Sequence, residues 1–344
     1  MTKKIAIYGA GNFGKLFRKC LGKVDFFIDD LSTEKNIEGI PIVDLSDIPQ
    51  ETKIYISPLQ YSTKIEHFLR QRGFENIINF TESIKTLPNI LEEIAKTNYL
   101  WLNESTKDVD EKKIEKVKNL LVDEKSKTIL NNIVNLRKTF NTKYYINPED
   151  IEYFPQDVPV LENLSRVNFI DCGAYTGDTI EELINQKKDI GYTISFEPDS
   201  KNLLALQKTL SKFTKNNHIV YPAGVYSSNT TLHFANNGID SSAAFDENSS
   251  SMVSVVALDT IILNSHPNFI KMDIEGAEKE ALLGARKILQ KYKPNLAICL
   301  YHKTKDLWEL PLLIAELEPS YKMYIRVHED LCLSTVLYCI SKER

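Results

Sequence analysis

Short apolar runs alternate along this chain with polar stretches of helical period, the signature of an α/β fold. Residues 4–8, 24–28, 53–57 and 76–79 predict strands, with helices at 15–21 and 62–72 between them. The stretch 91–139 is rich in Glu, Lys, Asn and Leu and contains no Pro or Gly. Apolar positions at Ile114, Val117, Leu120 and Leu121, and again at Ile129, Ile133 and Leu136, predict helices there. An irregular aromatic segment, 144–164, follows. Apolar runs at 169–172, 192–196, 218–221, 231–234, 269–274, 296–301, 322–327 and 335–340 then predict a second, larger sheet. The expected organisation is a small Rossmann-like domain at 1–85, a helical linker and lid at 86–165, and a doubly wound domain at 166–344.

The second domain opens with Phe-Ile-Asp-Cys-Gly-Ala-Tyr-Thr-Gly-Asp-Thr at 169–179, a strand that runs through Asp-x-Gly-x-x-x-Gly into a helix. Gly173 and Gly177 permit close backbone approach, and the helix offers unpaired N–H groups at its start. The loop lacks the Gly-Lys-[Ser/Thr] ending of a P-loop, and Asp171 and Asp178 would repel a pyrophosphate. Further acids close later strands, at Glu197 in Glu197-Pro198-Asp199 and at Asp273. Ligands of doubly wound sheets lie beyond the carboxyl ends of the strands, so the three acids should converge, with Glu197 accepting ribose hydroxyls. S-adenosylmethionine, a sulfonium, suits that field. The final strands, joined by the short Glu329-Asp330 turn, should pair antiparallel in an otherwise parallel sheet.

The run Ile-Lys-Met-Asp-Ile-Glu-Gly-Ala-Glu at 270–278, with Phe-Ile-Asp-Cys-Gly-Ala at 169–174 and Phe-Glu-Pro at 196–198, resembles the FkbM family of S-adenosylmethionine-dependent methyltransferases. The resemblance spans roughly 120–340 and includes the landmarks at 301–311, 321–326 and 334–338. It implies a class I methyltransferase fold and an O-methyltransferase acting on a sugar hydroxyl, on a nucleotide-activated sugar or a precursor of a surface glycan such as a capsular polysaccharide. It also implies that 144–164 packs beside the active site. The expected cofactor residues are Asp171, Gly173, Ala174, Gly177, Asp178, Thr179, Glu197, Pro198, Ala223, Ser241 and Asp273.

Removing a proton from a sugar hydroxyl as the C–O bond forms calls for a base or a metal. Of the six histidines, His302 follows a strand at its carboxyl end and is the expected catalytic residue, together with Asp273. His328 follows the strand at 322–327 and is a weaker candidate for the acceptor pocket. Asp273 and Glu275 admit two readings. Glu275 caps the helix that begins near Gly276 while Asp273 holds the cofactor or orients His302, or Asp273, Glu275 and His302 form a shell for Mg²⁺, Mn²⁺ or Fe²⁺. Lys271 is either a buried ion partner or exposed.

The first domain carries Gly-Ala-Gly-Asn-Phe-Gly at 9–14, a dinucleotide fingerprint, and an Asp29-Asp30 turn, but is too short for a full dinucleotide fold. It resembles the small domain that precedes sugar O-acyltransferases of the sialic-acid type, which implies nucleotide or nucleotide-sugar contact; a structural or oligomerising role is the alternative. A nucleotide-sugar oxidoreductase using this loop, or a nonenzymatic scaffold, are the competing functions. The 344 residues, 42% hydrophobic with net charge −5, give no basic stripe for nucleic acid and no bilayer-length apolar run, so a cytoplasmic protein is expected. Five scattered cysteines read as reduced core thiols. Homo-oligomerisation is left open.

Overall fold

The computed structural model describes residues 3–97, 102, 107–149, 151–215, 217–236, 243–245 and 252–342. Contacts divide it into two compact units, 1–108 with 132–147 and 109–131 with 148–344, so that residues of the 86–165 stretch belong to both.

In the first unit, β1 (Ile5–Tyr8), β2 (Phe26–Ile28), β5 (Lys53–Ile56) and β6 (Ile77–Ile78) form a parallel sheet in the order β2-β1-β5-β6. The short antiparallel pair β3 (Asn36–Ile37) and β4 (Ile40–Pro41) lies between β2 and β5 in sequence. The helices are α1 (Asn12–Leu21), α2 (Ser62–Gln71), α3 (Phe80–Thr86) and α4 (Ile90–Ala95). Ala6, Ile28, Ile54, Ile56, Leu69 and Ile77 make the apolar core of this unit. Asn79 and Glu82 form a reciprocal capping box that starts α3.

The linking stretch is helical as its periodicity predicts, in α5 (Glu111–Leu120) and α6 (Glu124–Thr139). Ile114, Val117, Ile129, Ile133 and Leu136 are buried. The remaining elements in chain order are β7 (Val167–Cys172), α7 (Asp178–Asn185), β8 (Ile190–Phe196), α8 (Ser200–Leu210), β9 (His218–Tyr221), β10 (Gly224–Val225), β11 (Thr230–Asn236), β12 (Ala243–Phe245), β13 (Met252–Val256), α9 (Leu258–Ile261), β14 (Phe269–Met272), α10 (Glu278–Gly284), α11 (Arg286–Tyr292), β15 (Asn295–Cys299), α12 (Asp306–Leu317), β16 (Lys322–Val327) and β17 (Thr335–Ile340).

The main sheet has the order β16-β17-β15-β14-β7-β8-β9. Strands β7, β8, β9, β14 and β15 run parallel, while β17 pairs antiparallel with both β15 and β16. The chain builds outward from β7 through β8 to β9, then returns to β14, so the order reverses between β7 and β14. Every residue of β14, β15 and β17 is buried, which explains their continuous apolar character. The strands β10 to β13 form a separate small sheet in the order β10-β13-β11-β12, of which the sequence pattern shows only β11 clearly. Among the described residues no helix is long and apolar enough to cross a membrane. The five cysteines are free; Cys172, Cys299, Cys332 and Cys339 are buried.

Arg326 on β16 is the largest fully buried side chain. Its guanidinium donates to Asp157 Oδ1 and Oδ2 at 3.1 Å, to Asp123 Oδ2 at 2.7 Å and to Ser126 Oγ at 2.9 Å, fastening the start of α6 and the 157 loop to the sheet edge. Arg326→Ala should therefore strand two carboxylates that remain partly hydrated and lower the unfolding free energy by about 2–4 kcal/mol, read from the urea midpoint. An unchanged midpoint would show that the network is merely decorative.

Candidate functional site

The switch between β7 and β14 sets three strand ends side by side. Asp171 pairs in register with Lys271 and Ser195, and Cys172 with Met272 and Phe196. Beyond β7 the turn folds back tightly: Gly173 and Ala174 donate to Phe196 O at 3.0 and 3.1 Å, and Asp273 N donates to Cys172 O at 3.1 Å. Gly173 has φ +82°, and a Cβ there would stand 1.9 Å from the Asp273 carbonyl oxygen; Gly177, φ +87°, would strike Leu206. Both glycines are thus required by backbone conformation and by close packing.

Glu197 is buried, and its carboxylate joins the turn. Oε2 accepts from Tyr175 N at 2.8 Å and Oε1 from Asp199 N at 2.9 Å. Burial lifts its pKa, against the pull of those N–H groups. Asp199 in turn caps α8. Ala223 is buried beside the end of β9, and Thr179 within the first turn of α7, where Asp178 is exposed. Ser241 lies outside the described residues.

Asp171 is fully buried, its carboxylate 3.3 Å from the ammonium of Lys271, which donates to Gly173 O at 2.6 Å and lies 5.1 Å over the Tyr153 ring. Of the two placements left open for Lys271, the buried one holds. Burial raises the Asp171 carboxyl to about 6 despite Lys271. Burial would lower the Lys271 ammonium, but Asp171 and Asp273 outweigh it and hold the pKa above the usual lysine value.

Asp273, just past β14, accepts from Tyr153 Oη at 2.9 Å on Oδ2 and from Tyr301 Oη at 3.1 Å on Oδ1. His302 lies with Nε2 3.3 Å from Asp273 Oδ1 and 3.5 Å from Glu275 Oε2, and with Nδ1 2.9 Å from Glu278 Oε1. Burial would depress the imidazole, but Glu278 and Asp273 hold its pKa well above 6.5. Burial likewise opposes the charge on Asp273, and His302 and Lys271 overcome it, keeping the carboxyl far below its ordinary range. Tyr153 and Glu275 have left-handed backbones, φ +63° and +56°, a strained conformation for non-glycine residues that flank Asp273.

Two expectations are corrected here. Glu275 does not cap the following helix: α10 begins at Glu278, its N-cap is Ala277 and no side chain caps it. Glu278 Oε1 accepts instead from Ile274 N at 2.9 Å, and the groups close enough to share a cation are Asp273, Glu278 and His302, whose donor atoms lie within 4.8 Å of one another. Glu275 leaves 40% of its side chain exposed at the rim. His328 is buried. Its Nδ1 donates to Glu149 O at 3.2 Å and its Nε2 accepts from Tyr338 Oη at 2.8 Å, and that hydroxyl accepts from Tyr153 N at 3.1 Å. His328 therefore supports the segment that brings Tyr153 to Asp273. Tyr153, Tyr301 and Glu278 are the contacts that strand-end reasoning missed.

In the first unit, Asp29 accepts from Ala10 N at 2.7 Å, Leu31 N at 2.9 Å and Ser32 N at 3.0 Å. The acid that a dinucleotide fold reserves for ribose is thus taken up by its own loop. A Cβ on Gly14 would stand 2.1 Å from Gly9 O, so this glycine serves packing.

A mostly parallel sheet that reverses between its first and fourth principal strands and receives its last strand antiparallel is the class I methyltransferase fold. Residues 171–323 match the family model of the methyltransferase FkbM domain. The solved structure of the methyltransferase FkbM from Methylobacillus flagellatus KT shares the fold, with a TM-score of 0.64 and 24% identity over 98% of this chain and 90% of that one. More distant likenesses include an rRNA methylase from Streptococcus thermophilus (TM-score 0.35, 14% identity, 52% of this chain and 89% of that one). Another is a precorrin-6y C5,15-methyltransferase from Geobacter metallireducens GS-15 (TM-score 0.34, 12% identity, 56% and 94%). No curated protein matches the chain.

Burial lowers the His328 pKa from 6.5 to about 4. Between these values the unfolded chain binds a proton that the folded one refuses, so stability contributed by neutral His328 falls as pH drops from 6.5 to 4, by roughly 3 kcal/mol in all. Comparing unfolding midpoints across pH 7 to 4.5 for the wild type and His328→Gln should show a shallower decline in the variant. Parallel curves would exclude this role.

Proposed function

We propose that the chain is an S-adenosylmethionine-dependent O-methyltransferase whose acceptor is a sugar hydroxyl, on a nucleotide-activated sugar or a surface-glycan precursor. The observation that carries the reading is the convergence of the Gly173 turn, Glu197 and Asp273 at the sheet's switch point, within the stretch that matches the methyltransferase FkbM domain. The pocket chemistry fits the cofactor: Glu197 sits at the end of the strand after the glycine turn, where an acid receives ribose hydroxyls. Gly173, Ala174 and Gly177 shape the turn against the cofactor, Asp171 acts through Lys271, Asp178 and Thr179 border it on α7, and Pro198 and Ala223 flank the base.

Bound S-adenosylmethionine supplies an electrophilic methyl group on a sulfonium. The protein's share is to hold the acceptor oxygen in line with it, at about 3 Å, and to take its proton. Asp273 and His302 are the groups for that proton. Because the neighbouring carboxylates keep His302 protonated through neutral pH, it accepts a proton only after losing its own. The compact Asp273, Glu278 and His302 set favours a second arrangement in which these three ligate Mg²⁺, Mn²⁺ or Fe²⁺ in place of the Nε2 proton. The competing oxidoreductase reading loses support from the engaged Asp29 carboxylate.

Calorimetry should show S-adenosylhomocysteine binding and no NADH binding. Glu197→Ala should weaken S-adenosylhomocysteine by about 1–3 kcal/mol, with Glu197→Gln losing less; equal affinities in all three would remove Glu197 from the ribose site. Mass-spectrometric assays against nucleotide-sugars should give a product heavier by one methylene. If His302 is the base, turnover rises with pH through a midpoint well above 6.5, and His302→Ala lowers it roughly 10²–10⁴-fold with cofactor affinity kept. Loss of turnover in EDTA, restored by Mn²⁺ or Mg²⁺, would assign the metal arrangement instead.

A further inference from the structure

A cavity of about 270 Å³ lies between the irregular segment 151–154 and the start of α7, where Asp178, Thr179 and Glu182 face it. Its volume is below the roughly 300–1,000 Å³ of drug-sized pockets and suits a single sugar ring. Three carboxylates, Glu152, Asp178 and Glu182, line it, and no basic side chain does among the described residues. Glu182 already holds Gln186 Nε2 at 2.6 Å. Glu152 is different: its Oε1 is buried and has no hydrogen-bond partner.

A buried carboxylate oxygen without a donor is costly to keep, and its cost falls when a ligand brings the donor. Burial, with Asp273 and Glu329 adding to it and Lys271 opposing it, lifts the Glu152 carboxyl to about 8, so that an incoming cation would draw off its proton. A neutral hydroxyl would satisfy one lone pair but leave three acids facing each other; an anion would be repelled. The aromatic walls, Tyr153 and Phe154, complement the apolar face of a sugar ring. Tyr153 also binds Asp273 through its hydroxyl, so the cavity adjoins the proposed centre of proton transfer.

We propose that this cavity is the acceptor subsite and that it selects a primary ammonium, so that the sugar methylated is an amino sugar with a free amine. The proposal rests on the methyl-transfer reading above, and Glu152 is its principal ligand. An ammonium there has a second conceivable source, the amino group of the cofactor's methionyl end, and the experiment separates the two.

The full-length protein, with S-adenosylhomocysteine bound, is titrated by ligand-observed NMR with glucosamine, N-acetylglucosamine and glucose at pH 6.5, and Glu152→Gln and Glu182→Gln are compared after a thermal melt verifies folding. The expected result is binding of glucosamine in preference to both neutral sugars. Glu152→Gln should weaken it roughly 10- to 100-fold, the loss of a charge-assisted hydrogen bond, with S-adenosylhomocysteine affinity unchanged; Glu182→Gln should weaken it less. Equal or absent binding of the three sugars in a protein that holds S-adenosylhomocysteine overturns the proposal and leaves methyl transfer standing. Loss of S-adenosylhomocysteine affinity in Glu152→Gln, with glucosamine unaffected, assigns the cavity to the cofactor and also overturns it. A wild type that does not bind S-adenosylhomocysteine refutes the methyl-transfer reading itself.

Discussion

The buried ammonium of Lys271 is the constraint on which the site depends. A lysine with 4% of its side chain exposed, in the middle of a sheet, must be paired and hydrogen-bonded or it would not stay charged. Asp171 supplies the charge and the Gly173 carbonyl supplies the acceptor. One side chain thereby fixes β14 to β7 and pins the turn that follows β7. The same ammonium lies over the Tyr153 ring and turns its hydroxyl toward Asp273, so the turn, the aromatic wall and the acid are set by a single cation. Replacing it with a neutral group would leave Asp171 fully buried without a counter-charge.

The second cation, His302, performs the matching task at the end of β14. Asp273, Glu275 and Glu278 crowd a small volume, and the imidazole bridges the first and last of them. A proton on His302 answers one electrostatic problem, the repulsion among carboxylates brought together by a short turn. That the backbone at Glu275 adopts φ +56° shows how tightly this turn is drawn.

Much of this was legible in the chain. The strand-to-turn-to-helix run at 169–179 and acids at strand ends placed Gly173, Glu197 and Asp273 at one edge, because the position of an acid after a parallel strand is fixed by topology rather than by detail. The antiparallel last pair followed from a short connection. Lys271 was undecidable because β14 is buried on both faces, and alternation carries no information in such a strand. Glu278 lost to Glu275 because the sharp turn at 275–276 sends the nearer acid outward, and spacing alone does not show a left-handed residue. Tyr153 comes from an irregular segment 120 residues before Asp273, and no local pattern reports a contact of that range. His328 looked like Asp273 in sequence, an acid-base group after a strand, but sits on the antiparallel side, away from the switch point, where its partners are a backbone carbonyl and a tyrosine.

The balance of charge then limits what the edge of the sheet can receive. Lys271 and His302 answer Asp171, Asp273 and Glu278, while Glu152 and Glu197 form no ion pair among the described residues. Glu197 is served by two backbone N–H groups. Glu152 has an oxygen served by nothing. A crevice of this sign opposes the phosphates of a dinucleotide and favours a ligand that arrives with positive charge. The glycine loop of the first unit gives no refuge for the phosphates either, since its amide at Ala10 is already bonded to Asp29. In both units a carboxylate at the end of the second strand is bonded to a backbone N–H of the turn that follows the first.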